Sequence, residues 1–265
     1  MARKILDKQV PVAERLGRIE AVIFDLDDTL IDWGGQSITW EQFFGPRTNT
    51  IHRYLVESNH KLPPADEFYS IIDQATRYTW EEAKKTWIIP SIGDMLLKVF
   101  IDLGLDVDRI DIHQILVVYD WGPLPGVVPY PDTIAVLEEL RHRGYKIGLL
   151  TNSFLPMWMR DSELVAYNLI QYFDARVTAA DIGYLKPHPY IYHRTIEMLQ
   201  TTPEKAVFVG DRPKNDIAGA NDSGLISVLM DPPHLNRDLD GVVPDYTISS
   251  LSELLPILEH LDSDR

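Results

Sequence analysis

Residues 21–32 read AVIFDLDDTLID, an apolar run that passes directly into a segment holding four acidic residues. The apolar half is typical of a strand buried on both faces of a sheet. Carboxylates at the end of such a strand are costly unless they are paired or bound to a cation. The stretch therefore predicts a buried strand whose carboxyl end faces a positively charged partner.

The second half of the chain predicts the sheet to which this strand belongs. After the Pro- and Gly-rich segment 122–132, apolar strands alternate with helices, as in a parallel sheet covered on both faces. We expect strands within 145–151, 175–180, 205–211, 225–230 and 245–250, with 175–180 at an edge. A helix capped by Asp132 should bury Ile134, Leu137 and Leu140, and a further helix should begin at Pro189.

The segment between the first strand and residue 122 follows a different pattern. Apolar residues recur there at helical spacing in four stretches within 37–121. We therefore predict an α/β fold, a three-layer Rossmann-like parallel sheet core with an inserted all-helical cap domain. The predicted division is an N-terminal extension at 1–17, a core at 18–35 and 122–265, and the cap at 36–121.

Composition excludes several classes of function. The formal net charge of −15 argues against nucleic acid or an anionic membrane as partner, since both reward basic surfaces. The absence of cysteine excludes disulfides and zinc–thiolate sites. The first twenty residues hold no apolar run of signal-peptide length, and no segment reaches the ~18 apolar residues of a membrane span. We expect a cytoplasmic protein, of an oligomeric state that the sequence leaves open.

Polar residues fall where the predicted strands end. Asp25 and Asp27 follow the first strand, Thr151 and Asn152 follow another, and Asp211 follows a third, with Asp216 five residues later. In an open parallel sheet the carboxyl ends of the strands form the ligand-binding edge. Converging carboxylates without soft ligands favour a hard divalent cation, and we expect Mg²⁺.

These residues resemble a known family. The segments DLDDT (25–29), LLTN (149–152), LKPHP (185–189) and GDRPKND (210–216) are similar, in this order, to the four motifs of the haloacid dehalogenase superfamily. The helical insertion between the first two motifs resembles members with a small helical cap. The resemblance implies a phosphatase-type hydrolase, because Asp27 occupies a position at which phosphatases and mutases carry aspartate and dehalogenases do not.

The resemblance also implies roles for the acids of the first motif. Asp25 would be the nucleophile that forms an aspartyl-phosphate, and it would also contact the metal. Asp27 would protonate the leaving oxygen and then accept a proton from water, so it must carry a proton in the first step. The backbone carbonyl of Asp27, rather than its side chain, would reach the metal.

The other motifs imply the remaining site residues. Thr151 and Asn152 would bind the phosphate, although a strand-ending turn is an equal alternative for Asn152. Lys186 would steady the charge on Asp25 and on the phosphate. Asp211 would ligate the metal, and Asp216 would serve the metal site through water or by pairing with Lys186, with helix capping as its alternative.

Several further residues receive structural interpretations. We expect Asp28 and Asp32 to be turn or capping residues, Thr29 to shape its loop by hydrogen bonding, and His188 to start a helix. Trp40, Trp80 and Trp87 are predicted to belong to the core of the cap rather than to a substrate platform. We expect Trp33, rather than these three, to contact the substrate.

The leading interpretation is a Mg²⁺-dependent phosphatase that acts on a small phosphorylated metabolite. A phosphomutase, or a phosphonate hydrolase that uses a cap lysine, is an alternative on the same fold; the candidates are Lys61, Lys84, Lys85 and Lys98. A non-catalytic phosphate-binding module is a further alternative. The sequence does not name the substrate.

Overall fold

The computed structural model describes residues 18–263, so the predicted extension at 1–17 lies outside the described residues. Its strands are β1 (Ala21–Phe24), β2 (Ile31–Asp32), β3 (Val128–Pro129), β4 (Lys146–Thr151), β5 (Ala175–Thr178), β6 (Ala206–Gly210), β7 (Ile226–Met230) and β8 (Tyr246–Ile248). Six of these strands form a parallel sheet in the order β5-β4-β1-β6-β7-β8. The predicted parallel sheet is confirmed, with β5 at an edge.

The helices cover both the sheet and the insertion. They are α1 (Trp40–Glu57), α2 (Ala65–Thr86), α3 (Ile92–Asp102), α4 (Ile112–Tyr119), α5 (Thr133–His142), α6 (Met157–Ala166), α7 (Ala179–Ile182), α8 (Pro189–Met198), α9 (Ala218–Asp222) and α10 (Leu254–Ser263). Along residues 18–263, no helix combines the length and apolar character needed to cross a membrane.

β1 lies in the middle of the sheet, and its position explains its composition. It pairs with β4 on one side and with β6 on the other, and all four of its residues are buried. A strand covered on both faces offers no place for a polar side chain. Asp25, the first carboxylate of residues 21–32, therefore lies at the point where β1 ends, between the ends of β4 and β6.

The cap consists of α1–α4, the four helices expected from the periodicity. Capping boxes start two of them: Thr39 pairs with Gln42 at α1, and Ser91 pairs with Asp94 at α3. The chain leaves the core through β2 and returns through β3, and these two strands pair antiparallel. The α/β core with a helical cap is thus confirmed, while the domain limits at 36 and 121 stay a prediction.

The two connections to the cap touch each other at two glycines. A Cβ atom built on Gly126 would lie 1.8 Å from the carbonyl oxygen of Gly35, and one built on Gly35 would lie 2.5 Å from that of Gly126. Gly126 also has a φ of +88°, in the left-handed region. Only glycine fits this crossing of two backbones.

A second link between cap and core lies at the end of α2. The Leu185 N–H donates to the carbonyl of Trp87 at 2.8 Å, and the Ile89 N–H donates to that of Gly183 at 3.1 Å. Ile88 and Tyr184 form the isolated antiparallel bridge between these two bonds. The cap is therefore joined by main-chain hydrogen bonds to the loop that leads to Lys186.

The structure corrects two local predictions for α5. Ile134 is 37% exposed, and Val136 is buried together with the expected Leu137 and Leu140. Asp132 precedes α5 but makes no capping bond, and its carboxylate accepts the Ser252 N–H at 2.8 Å.

Candidate active site

Lys186 lies between two carboxylates at the end of the central strand. Its Nζ is 2.8 Å from Oδ1 of Asp25 and 2.7 Å from Oδ1 of Asp216. All three side chains are buried, with Lys186 only 1% exposed. A buried ammonium group is tolerated only where anions compensate it. The structure therefore brings together one cation and two acids that the sequence separates by up to 191 positions.

Asp211, at the end of β6, adds a third acid to the same point. One carboxylate oxygen from each of Asp25, Asp211 and Asp216 lies within 4.8 Å of the other two. Among residues 18–263, Oδ1 of Asp211 is buried and has no hydrogen-bond partner. Unpartnered hard oxygens in a buried cluster fit a divalent cation. The donor set thus agrees with the metal site expected from the strand ends.

Burial and mutual repulsion shift the titration of this cluster. Burial, with Asp216 and Asp27 adding repulsion, raises the pKa of Asp25 to about 6 although Lys186 acts in the opposite direction. Burial, Asp216 and Asp25 raise the pKa of Asp211 to about 8. Burial works to lower the pKa of Lys186, but Asp216 and Asp25 outweigh it and the pKa is raised. Lys186 is therefore charged and compensates Asp25 and Asp216.

Arg237 contacts the cluster from the segment between β7 and β8. Its guanidinium forms a short ion pair with Oδ2 of Asp211 and lies 3.0 Å from Oδ2 of Asp28. This arginine lies outside the four motifs, and no pattern in the sequence indicated it. Arg237 contacts Asp211, a residue of the candidate metal site. A metal ion bound there would compete with Arg237 for the Asp211 carboxylate.

Asp27 points to a different set of partners. The Trp33 Nε1–H donates to its Oδ1 at 3.0 Å, and Arg160 forms an ion pair with the same oxygen at 2.9 Å. Thr151 donates to its Oδ2 at 3.4 Å. The expected neighbour Thr151 is thus in place, but the strongest contact comes from a residue that the sequence did not single out.

Arg160 is buried on α6, a helix that we did not predict. It pairs with Asp27 and, at 2.5 Å, with the buried Glu163 one turn along the helix. Burial lowers the pKa of Arg160, but Asp27 and Glu163 outweigh it and the pKa is raised. The i,i+3 spacing of arginine and glutamate, beside apolar Met157 and Leu164, was the signal available in the sequence.

Asn152 serves mainly to hold Lys186. Its Nδ2 donates to the carbonyl of Lys186 at 3.1 Å, and its Oδ1 accepts the Lys186 N–H at 2.7 Å. Asn215 donates to the same carbonyl at 2.9 Å. With its side chain engaged in this way, Asn152 keeps its backbone N–H as the group available to a phosphate.

The remaining predicted residues take mostly structural positions. Oδ2 of Asp216 accepts the Arg212 N–H at 2.9 Å, so Asp216 both pairs with Lys186 and holds the turn that follows β6. Asp28 accepts the Trp33 N–H at 3.2 Å and Asp32 accepts the Gly34 N–H at 2.7 Å, as expected of turn residues.

Two further structural predictions have opposite outcomes. His188 is the N-cap of α8, as expected, and its Nδ1 accepts the Tyr190 N–H at 3.2 Å. The expected hydrogen bond of the Thr29 hydroxyl is not found: among residues 18–263, its Oγ1 is buried and has no partner.

A cavity of about 770 Å³ opens from this cluster toward the cap. Asp25, Thr151 and Lys186 line its floor. Trp40, Trp80 and Trp87 line it from the cap, where we expected them to fill the helical core. Of the four cap lysines considered for a phosphonate hydrolase, Lys84 alone lies along this cavity.

Comparison with known proteins places this geometry in a family. Residues 19–224, more than three quarters of the chain, match the model of a hydrolase family described as haloacid dehalogenase-like hydrolase. This match spans β1 and the ends of the strands that carry Asp25, Thr151 and Asp211.

The chain is also similar to individual proteins over most of its length. It is 29% identical to the glyceraldehyde 3-phosphate phosphatase of Methanopyrus kandleri, with 93% of this chain and all of that protein covered. It is 28% identical to the pyrophosphatase PpaX of Bacillus mycoides, over 92% of this chain and 99% of the relative. The crystal structure of a HAD phosphatase from Thermococcus onnurineus superposes with a TM-score of 0.57 at 28% identity, covering 90% and 97% of the two chains.

Proposed function

The chain belongs to the haloacid dehalogenase-like hydrolase family and is a phosphatase-type enzyme, and on this premise we propose that it hydrolyses a small phosphorylated metabolite with Mg²⁺ through an aspartyl-phosphate at Asp25. The observation that carries the proposal is Lys186 held between Asp25 and Asp216 beside Asp211, at the base of the cavity. Lys186, together with a divalent cation held by the three carboxylates, would offset the charge of a dianionic phosphate.

In the first step a carboxylate oxygen of Asp25 forms a bond to phosphorus while the bond from phosphorus to the leaving oxygen breaks. Asp27 delivers the proton that this oxygen needs to depart as an alcohol. In the second step Asp27 takes a proton from water, which attacks phosphorus and releases Asp25 and inorganic phosphate. This sequence requires Asp27 to exchange its present contact with Arg160 for one with the reacting oxygens.

The remaining residues hold charge in place. Lys186 offsets the negative charge of Asp25 and of the phosphoryl oxygens. Thr151, with its hydroxyl, and Asn152, with its backbone N–H, bind the phosphate. The side chains of Asp25, Asp211 and Asp216 and the main-chain carbonyl of Asp27 would hold Mg²⁺, whose charge offsets the repulsion between carboxylate and phosphate.

Two relatives support a phosphorylated substrate of limited size. Their names give a triose phosphate and pyrophosphate as substrates. The cap of this chain covers the site, and a cavity of about 770 Å³ accommodates a small molecule but not a folded protein.

The test is phosphate release from a panel of sugar phosphates, nucleotides and p-nitrophenyl phosphate, with Mg²⁺ and with EDTA. We expect release that needs Mg²⁺ and is lost in Asp25→Asn. Asp161→Asn is the matched control, because Asp161 pairs with Arg176 away from the cluster. Intact mass measured during turnover should show the gain of one phosphoryl group in the native protein and none in Asp25→Asn.

Other results would favour the alternatives. Isomerisation of a sugar phosphate without net phosphate release would indicate a mutase. Cleavage of a phosphonate that depends on Lys84 would indicate a phosphonate hydrolase. Binding of a phosphate mimic without turnover of any ester would indicate a non-catalytic module.

A further inference from the structure

Aromatic side chains form much of the wall of the cavity above the acids. Five of the six tryptophans of the chain line it, namely Trp33, Trp40, Trp80, Trp87 and Trp121. Its volume of about 770 Å³ falls in the range of roughly 300–1,000 Å³ that holds drug-sized ligands. A triose phosphate would leave most of this wall uncovered.

The wall begins at the residue proposed to meet the leaving group. Trp33 donates its Nε1–H to Asp27 at 3.0 Å, and its ring centroid lies 5.5 Å from that of Trp40. Trp40 in turn stacks on Phe44 at 5.2 Å with 14° between the ring planes. A continuous aromatic row therefore leads from Asp27 into the cap.

Apart from the buried Trp121, these rings are not fully buried in the core of the cap. Phe43, Ile51, Phe68 and Phe100 fill that core and are at most 2% exposed. Trp40 is 50% exposed, and Trp33, Trp80 and Trp87 are half-buried. Large apolar rings left accessible inside a cavity are typical of a surface that a ligand covers.

The backbone conformation of Trp87 also supports a ligand site in this cavity. This residue ends α2 with φ of +59°, in the left-handed region that glycine and asparagine ordinarily occupy. A bulky side chain is costly at such a position, and residues held there concentrate at ligand sites. The indole of Trp87 therefore lines the cavity from a backbone position that favours a smaller residue.

Several polar side chains of α2 share this wall with the aromatic rings. Arg77 pairs with Asp73 at 2.8 Å, and Thr76 donates to the carbonyl of Ile72 at 2.8 Å. Tyr69 and Lys84 also line the cavity. A polyhydroxylated leaving group needs many free hydrogen-bonding groups, because burying hydroxyls without partners is unfavourable. With Arg77, Asp73 and Thr76 already bonded to protein groups, the α2 wall suits an aromatic leaving group better.

We propose that the substrate is a phosphomonoester whose leaving group carries an aromatic ring, which stacks in the row formed by Trp33, Trp40 and Phe44 and against Trp87. This inference rests on the proposed function and names its substrate class. Ring stacking contributes to binding of the leaving group, while Lys186 and the acids hold the phosphate.

The test compares esters that differ in the leaving group. 2-Phenylethyl phosphate, hexyl phosphate and glycerol 3-phosphate all release primary alcohols, and phosphate release gives kcat/KM for each. We expect 2-phenylethyl phosphate to exceed glycerol 3-phosphate by roughly tenfold or more, with hexyl phosphate between them. Trp40→Leu and Trp87→Leu should remove most of this difference. Values for the three esters that agree within about twofold would overturn the proposal.

Trp158→Leu is the matched control. Trp158 is 43% exposed on α6 and does not line the cavity, so its loss should leave the preference unchanged. A preference that falls equally in Trp158→Leu and in the cavity variants would also overturn the proposal.

Binding to Asp25→Asn separates this inference from the proposed function. 2-Phenylethyl phosphate should change the tryptophan fluorescence of that variant with saturation, whereas inorganic phosphate should not. Absence of turnover with any ester would refute the phosphatase proposal, and the fluorescence titration would still decide the aromatic site. No saturable change, or the same change with inorganic phosphate, would refute the aromatic site alone.

Discussion

The guanidinium group of Arg160 lies 2.9 Å from the carboxylate of Asp27, and both side chains face the cavity floor. A guanidinium at this distance holds a carboxylate in a fixed orientation. The proposed mechanism needs Asp27 as a proton donor, and Arg160 would set the direction in which its carboxylate faces the cavity. Arg160 is thus a positioning residue, tied in turn to Glu163.

Arg160→Gln should slow hydrolysis most for esters with poor leaving groups. General acid catalysis contributes roughly 10²–10⁴-fold, and an alkyl alcohol needs it more than p-nitrophenol does. The measurement is kcat for an alkyl phosphate and for p-nitrophenyl phosphate. Arg176→Gln, which breaks an Arg–Asp pair outside the site, is the control. Equal losses on the two esters would show that Arg160 only supports the fold.

Lys186→Met should lower both stability and activity. Removing the ammonium leaves Asp25 and Asp216 buried without their counter-ion, and breaking a buried pair costs about 3–5 kcal/mol. Urea denaturation measures the free energy of unfolding. Lys205→Met, which breaks the partly exposed pair with Glu20, should change it much less. A Lys186→Met protein as stable as the native one would contradict the compensation described here.

Without metal, the protein should lose stability as pH rises. The pKa values of Asp25 and Asp211 lie at about 6 and about 8 in the folded protein, above the ~3.9 of an unfolded aspartate. Between these limits the folded protein binds more protons than the unfolded one, so the free energy of unfolding falls with pH.

Urea denaturation in EDTA at pH 5 and at pH 8 measures this loss. Mg²⁺ should restore more stability at pH 8 than at pH 5, because its ligands must be deprotonated. Asp211→Asn, which cannot titrate at this position, should show a flatter pH dependence in EDTA. Stability that increases from pH 5 to pH 8 in EDTA, or an equal slope in Asp211→Asn, would be inconsistent with the cluster described.

Gly126→Ala should destabilise the crossing of the two cap connections. The new methyl group would overlap the carbonyl of Gly35, and its φ of +88° is unfavourable for alanine. Gly104→Ala is the control, since Gly104 has a φ of +75° but no atom within 4 Å of its added Cβ. The control should lose about 1–2 kcal/mol from backbone strain alone, and Gly126→Ala clearly more. Equal thermal denaturation midpoints for the two variants would exclude a close contact at the crossing.

The parts of the site that the sequence revealed are those tied to strand ends. Asp25, Asp211 and Asp216 could be found because they follow recognisable strands, whereas Lys186 was indicated by the resemblance of LKPHP to a family motif. Parallel strands bring such ends to one edge whatever their separation along the chain. The clustering of the three acids was therefore accessible before any coordinates.

Arg160 and Arg237 could not be found in this way. An arginine in a helix or loop is ordinarily solvated, and the i,i+3 spacing of Arg160 and Glu163 does not show whether the pair is buried. Arg160 meets Asp27 across 133 positions, and only the packing of α6 against the sheet makes that contact. Helical spacing likewise places Trp40 and Trp80 on apolar faces without showing whether a face meets protein or an open cavity.

The main-chain bonds from Trp87 and Ile89 to residues 183–185 end one residue before Lys186. Any movement that lifts α2 from the core must break these bonds or pull on the segment that carries the ammonium group. Under the proposed mechanism, opening of the cap would therefore change the position of the Lys186 ammonium group beside Asp25. Amide hydrogen exchange at Leu185 and Ile89 should report each opening of the enzyme directly.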